Sequence, residues 1–229
     1  MKTGKMTVWQ KSHLVLTLEK NKVMEAVAAK PKTKKAAKTL PKELVYESLA
    51  GRVFYRKGYR DVLNKTKTSE QITGSSGLQS IIVSYLMKTL FKLDDEKYWI
   101  LSNEIGLHID HRNNPASDIG IFDVNVLTPD LVDIHYVNVP AKIFIEVDIR
   151  ADVEDLGETG YITMKTNELL KFGAEKVIWI LSNTQKVILA KNGEKTWLWS
   201  DWNEDTQVLD GVSFNVGKYL EKKGINPLK

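Results

Sequence analysis

Two carboxylates one residue apart, Glu146 and Asp148, stand in the otherwise apolar run KIFIEVDIRAD (142–152). In an extended strand they leave one face while Ile143, Ile145, Val147 and Ile149 leave the other. Placing unpaired like charges beside a core is costly, so the pair asks for a compensating cation. Asp118 opens a second apolar run, SDIGIFDVNV (117–126), and Lys165 follows in YITMKTNELLKFG (161–173). Mg²⁺ or Mn²⁺ takes a couple of carboxylates and keeps several waters. Asp118 and Glu146, with Asp148 sharing or supporting the ion, are therefore the expected metal ligands. An ammonium such as Lys165 could orient or deprotonate water, or offset charge in a phosphoryl-transfer transition state. The chemistry these residue types suit is metal-assisted hydrolysis of a phosphoester.

The elements that must bring these residues together are legible in outline. Leu78, Ile81, Ile82, Tyr85, Leu86 and Leu90 form a helical stripe, with Gly74-Ser75-Ser76-Gly77 as turn and cap. KYWILSNEIGLHID (97–110) is β-rich but alternates poorly, SDIGIFDVNV alternates well, and KIFIEVDI alternates cleanly. Lys165 falls in a helix that Gly173 ends, and KVIWIL (176–181) reads as a strand buried on both faces. QKVILAKNGEKTWLWS (185–200) predicts a hairpin turning at Asn192-Gly193. GVSFNVGKYLEKKGI (211–225) predicts a strand and a short helix. Upstream, ELVYESLAGRVFYRKGY (43–59) predicts a helix-like or turn opening and then a strand around Arg52–Tyr55. A strand–helix–strand crossover at 142–182 makes this an α/β (α+β) domain: a mixed β-sheet, parallel across the crossover, flanked by helices.

Composition narrows the function classes. The chain has 229 residues with no Cys, which excludes disulfides, cysteine-based zinc sites and thiol nucleophiles. No apolar window is long enough to span a membrane, and no signal-peptide pattern opens the chain, so the cytoplasm is the expected compartment. Residues 1–42 carry eleven Lys against Glu19 and Glu25, a balance of +9, whereas the remainder holds 22 basic and 27 acidic residues, a balance of −5. Residues 1–40 therefore read as a basic extension, with AKPKTKKAAK (29–38) a solvated arm or a source of non-specific phosphate attraction, and 41–229 as the folded domain. Met24 is an alternative start within that extension. His108 and His111 in HIDH lack a third ligand in an obvious pattern. WLWSDW (197–202) suits sheet packing or a dimer contact better than base stacking. The acidic loop Asp152, Glu154, Asp155 and Glu158 reads as solvated, and GSSG is not followed by the Lys-Ser/Thr of a phosphate loop.

The order ASDIGIFD, VPAKIFIEVDIRAD, GYITMKTNELLKFG and VIWIL resembles the Uma-type restriction-endonuclease-like family of the PD-(D/E)xK nuclease superfamily. The likeness runs from about 41 to 220. By that resemblance Asp118 takes the place of the motif's Asp, Glu146-Val147 of its Glu-Val, and Lys165 of a helical Lys eight residues before Gly173; Trp179 falls in the Trp-bearing strand. YESLAGRVFY (46–55) resembles the family's entry segment, which makes Glu47 an accessory acid in preference to Glu70. Asp148 stands where the superfamily usually carries its Lys, and Leu78 or Gln79 where a His is common. The resemblance implies a restriction-endonuclease-like core, a Mg²⁺- or Mn²⁺-dependent endonuclease acting on DNA, and a homodimer for duplex cutting. The alternative is a catalytically inactive nuclease-fold module that binds nucleic acid or protein.

Overall fold

The computed structural model of the protein describes residues 40–227. The basic extension anticipated for residues 1–40 lies, apart from Leu40, outside them. The described chain opens with a hairpin, β1 (Val45–Leu49) and β2 (Arg52–Tyr55). Short helices α1 (Tyr59–Leu63) and α2 (Glu70–Thr73) lead to α3 (Gly77–Leu90), whose N-cap Ser76 accepts a hydrogen bond from the Gln79 backbone N–H. Strands β3 (Tyr98–Gly106), β4 (Ala116–Asp123) and β5 (Ile143–Val147) follow, then α4 (Gly157–Phe172) and β6 (Lys176–Leu181). The chain closes with β7 (Lys186–Lys191), β8 (Leu198–Asp201), β9 (Thr206–Leu209), β10 (Val212–Phe214) and α5 (Val216–Lys222). Among the described residues no helix is long and apolar enough to cross a membrane.

Six strands make the central sheet, in the order β3-β4-β5-β6-β7-β8. The β5–β6 pair, joined through α4, is parallel and the other pairings are antiparallel. This is the mixed sheet flanked by helices that the crossover predicts. Apolar residues leave both faces of its central strands, because a layer covers each. On one face Ile119, Ile121, Ile143, Ile145, Val147, Ile178 and Ile180 pack with Ile82, Leu86 and Leu90 of α3 and with Val216 and Leu220 of α5. On the other, Phe122, Phe144, Trp179 and Ile188 pack with Tyr161, Ile162 and Leu169 of α4. Every residue of β5 is buried, Glu146 included. Trp179 satisfies its indole N–H on Thr166 Oγ1 at 2.9 Å, so the buried donor carries no desolvation penalty.

Two local expectations need correcting. The helix-like opening is a single 3-10 turn, Lys42–Leu44, and residues 45–49 then form a strand that was not expected; Ala50 (φ 50°) and Gly51 (φ 78°) make the tight turn. The hairpin of β7 and β8 does turn at Asn192-Gly193, where the Glu194 N–H closes on the Lys191 carbonyl at 3.2 Å, within a longer connection that reaches Leu198. The Asn192 side chain also donates to the carbonyls of Leu170 and Ala174 at the end of α4. Finally, β5 stops at Val147 and Asp148 adopts a left-handed backbone (φ 60°), so the two-residue alternation linking Glu146 to Asp148 does not hold.

Candidate active site

The pairing of β4 with β5 ends at Ile119↔Ile145, and Asp118 and Glu146 are the next residues beyond it. Asp118 Oδ2 accepts the Val147 N–H at 2.7 Å, which fixes its carboxylate across the strand ends. Glu146 is paired from the helix side: Lys165 Nζ of α4 lies 2.9 Å from Glu146 Oε2 and 3.2 Å from Glu47 Oε2 on β1. Glu47 is held in turn by the Tyr161 hydroxyl, which donates to Oε1, and by the Ala116 N–H, 3.1 Å from Oε2. Tyr161 precedes Lys165 by one helical turn, so both face the sheet. The rings of Tyr46, Tyr161 and Trp179 stand 5.8, 6.0 and 5.7 Å from the ammonium, a cation–π enclosure. Glu146 is 2% exposed and Lys165 1%.

This is one buried ammonium among three carboxylates, and the imbalance shows in their acidities. Burial, reinforced by the charges of Asp118 and Glu47, pushes the Glu146 carboxyl up to about 8 against the pull of Lys165. Burial also raises Asp118, against the Val147 hydrogen bond and the Lys165 charge. Burial works to discharge Lys165, but Glu146 and Glu47 together outweigh it and hold the ammonium protonated well above the ordinary lysine range. Lys165 is therefore a fixed positive charge at neutral pH, which argues against the deprotonating role among those the sequence left open.

Of the five residues singled out in the sequence, four are joined here: Asp118, Glu146, Lys165 and Glu47. Asp148 turns away. Its carboxylate accepts the Ser182 N–H and hydroxyl, both at 2.7 Å, and lines a separate hollow with Lys57 and Glu158, although its charge still raises Asp118. Glu70 is exposed on α2, where Ser69 donates to it. The HIDH acid is a turn former, Asp110 accepting from the Arg112 N–H and the Asn113 amide. The acidic loop is solvated, as expected, at Glu154, Asp155 and Glu158, with surface ion pairs from Arg60 to Asp152 and Glu154 and from Arg52 to Asp155.

A cleft of about 480 Å³ opens beside Asp118, lined by Ser75, Ser80, Ser84, Ser102, Glu104 and Arg150 among others. Its wall contains a feature the sequence reading missed. Ser102 pairs with Ile119 and Ile105 with Ser117, so Asn103 and Glu104 together oppose Asp118 alone. Both take left-handed backbones, φ 82° and 53°. Such β-bulges re-aim side chains beside functional sites. The poor alternation of KYWILSNEIGLHID was the signal for it. Gln79, at the position where the resemblance expects His, also borders the site: its Nε2 donates to the Val147 carbonyl at 2.9 Å, beside the N–H that Asp118 accepts.

Whether the site suits a divalent cation can be judged from its donors. Among the described residues no three His, Asp or Glu side chains gather as a ready cage. Mg²⁺ needs no such cage, taking one or two carboxylates and filling its octahedron with water. Glu146 Oε1 is buried without a hydrogen-bond partner among the described residues, an oxygen that a cation would satisfy. Asp118 and Glu146 together fit that demand.

No protein-family model matches the chain, and no curated protein matches it. Among solved structures, the chain is similar to that of a candidate nuclease of the DUF820 group from Anabaena variabilis. The TM-score is 0.57 at 13% identity, over 80% of this chain and 93% of that one.

Proposed function

We propose, from a fold shared with that candidate nuclease, that this protein is a Mg²⁺- or Mn²⁺-dependent endonuclease of the Uma-type, PD-(D/E)xK kind acting on DNA. The observation that carries the reading is Asp118 at the wall of an open polar cleft, tied through the Val147 N–H to the end of β5, where the buried Glu146–Lys165 pair lies behind it. Asp118 and Glu146 would hold the cation, which supplies Lewis-acid polarisation of a phosphoryl oxygen. Asp118, at the cleft wall, stands where a scissile phosphate would enter. Lys165 is a positioning residue: sealed from solvent, it donates to Glu146 and holds its side chain in place, and Glu47 with Tyr161 fixes Lys165. Asp148 orders the end of β5 through Ser182 and is not needed as a ligand.

In Mn²⁺ the wild type is expected to nick supercoiled plasmid, and Asp118→Asn and Glu146→Gln to lose about 10²-fold or more of that rate, the usual scale for removing a group that stabilises developing charge. Calorimetric Mn²⁺ binding should weaken in both variants while thermal melting stays cooperative. Equal nicking by all three proteins would overturn the assignment. The near-complete burial of Glu146 and Lys165 favours a second reading, a module that keeps the fold and binds DNA without cutting it. Under it, calorimetry shows no Mn²⁺ uptake at these carboxylates.

A further inference from the structure

Arg150 lies two residues past Asp148 and lines the same cleft as Asp118. Its side chain is 11% exposed, and the cleft it lines also carries Ser75, Ser80, Ser84 and Ser102. A guanidinium so placed is suited to two parallel hydrogen bonds to a phosphate. The fork is already engaged. Nη1 contacts Glu104 Oε1 and lies 3.3 Å from Ser75 Oγ, and Nη2 donates to the Thr73 carbonyl. Among the described residues, Glu104 is the one carboxylate paired with Arg150.

Glu104 reaches Arg150 because of the bulge. A regular antiparallel pairing would set one residue opposite Asp118; the extra residue sets Glu104 into the cleft at the cost of two consecutive left-handed backbones. Glu104 is not locked there. Its side chain is 32% exposed, and a second guanidinium stands behind it: Arg56 Nη1 is 4.0 Å from Glu104 Oε2. Arg56 Nε is buried without a hydrogen-bond partner among the described residues. A carboxylate leaving Arg150 therefore has a seat waiting on Arg56.

We propose that Arg150 is the phosphate-binding arginine of this cleft, and that Glu104 occupies it as an internal stand-in that a nucleic-acid phosphate displaces toward Arg56. The proposal rests on the reading of the cleft as a phosphodiester site and adds how that site recognises and guards its substrate.

A double-mutant cycle tests it, with full-length protein and a fluorescent duplex oligonucleotide, by anisotropy in EDTA at fixed salt. Glu104→Gln should bind about tenfold tighter than wild type, the scale of one charge-assisted contact exchanged. Arg150→Gln should bind about tenfold weaker, and the double variant should match Arg150→Gln, because Glu104 acts through Arg150. Should Arg150→Gln fail to fold, Arg150→Lys, which keeps the charge and loses the fork, serves in its place. A tightening from Glu104→Gln that persists without Arg150 would show mere charge repulsion and overturn the proposal. So would no change on Glu104→Gln, or no binding by any variant. The parent reading fails separately: no nicking in Mn²⁺ with the coupling intact removes the chemistry and keeps the phosphate site, whereas nicking without coupling removes the stand-in and keeps the nuclease.

Discussion

Glu146 is held neutral by the protein more readily than the same carboxyl in an unfolded chain. Its folded value, about 8, exceeds the ordinary 4.5, because burial and the neighbouring charges of Asp118 and Glu47 oppose ionisation. Within that window the folded state keeps a proton that the unfolded state releases, so stability falls as pH rises. Its contribution is full below pH 4.5 and lost by the time pH passes about 8. Asp118 is shifted in the same direction and adds to the slope. Melting temperature should therefore fall across this range in the wild type, and fall less steeply in Glu146→Gln, which has nothing to ionise; identical slopes would contradict the assignment. At this scale much of the site was legible. Asp118, Glu146 and Lys165 show in the residue types and their order, and Glu47 in the resemblance of its segment to the family's entry. Arg150 and Glu104 did not show, because a charged residue in a loop or an irregular strand has solvent as its ordinary fate. Asp148 was misplaced for a definite reason: strand alternation was carried one residue beyond the strand.

The elements with strong periodicity were the readable ones. α3 and α4 carry regular apolar faces, and β5 and β6 are apolar runs sandwiched between two helical layers. The N-terminal hairpin was half seen, since Glu47 interrupts the apolar pattern of β1 and Ala-Gly is a weaker turn signal than Asn-Gly. That weakness leaves a measurable mark. Ala50 adopts φ 50°, a left-handed backbone that disfavours any residue with a Cβ. Ala50→Gly removes the clash at the expense of a more flexible unfolded chain, and should leave a net gain of about 0.5 kcal/mol, read by denaturant melts. A loss would mean that the Ala50 N–H bond to Asn113 Oδ1, 2.6 Å long, depends on the present backbone.

Across the whole molecule, the fold is similar to that of a solved chain at 13% identity, so one architecture is compatible with very different residues. Patterning survives such divergence because burial on two sheet faces constrains polarity more than identity. A cation that binds the folded form alone should stabilise the entire molecule by mass action, about 2.7 kcal/mol at a hundredfold excess over Kd. Mn²⁺ should accordingly raise the melting temperature of the wild type and leave Glu146→Gln unmoved. The route by which the charges are buried has one more implication. Glu47 meets Tyr161 across 114 positions of chain, whereas Lys165 meets Glu146 across 19. Loop closure favours the short contact over the long one. If the N-terminal ribbon docks last on the crossover, water should reach the lysine until then. Stopped-flow refolding should in that case show Tyr161 and Trp179 burial lagging sheet formation; coincident phases would refute that order.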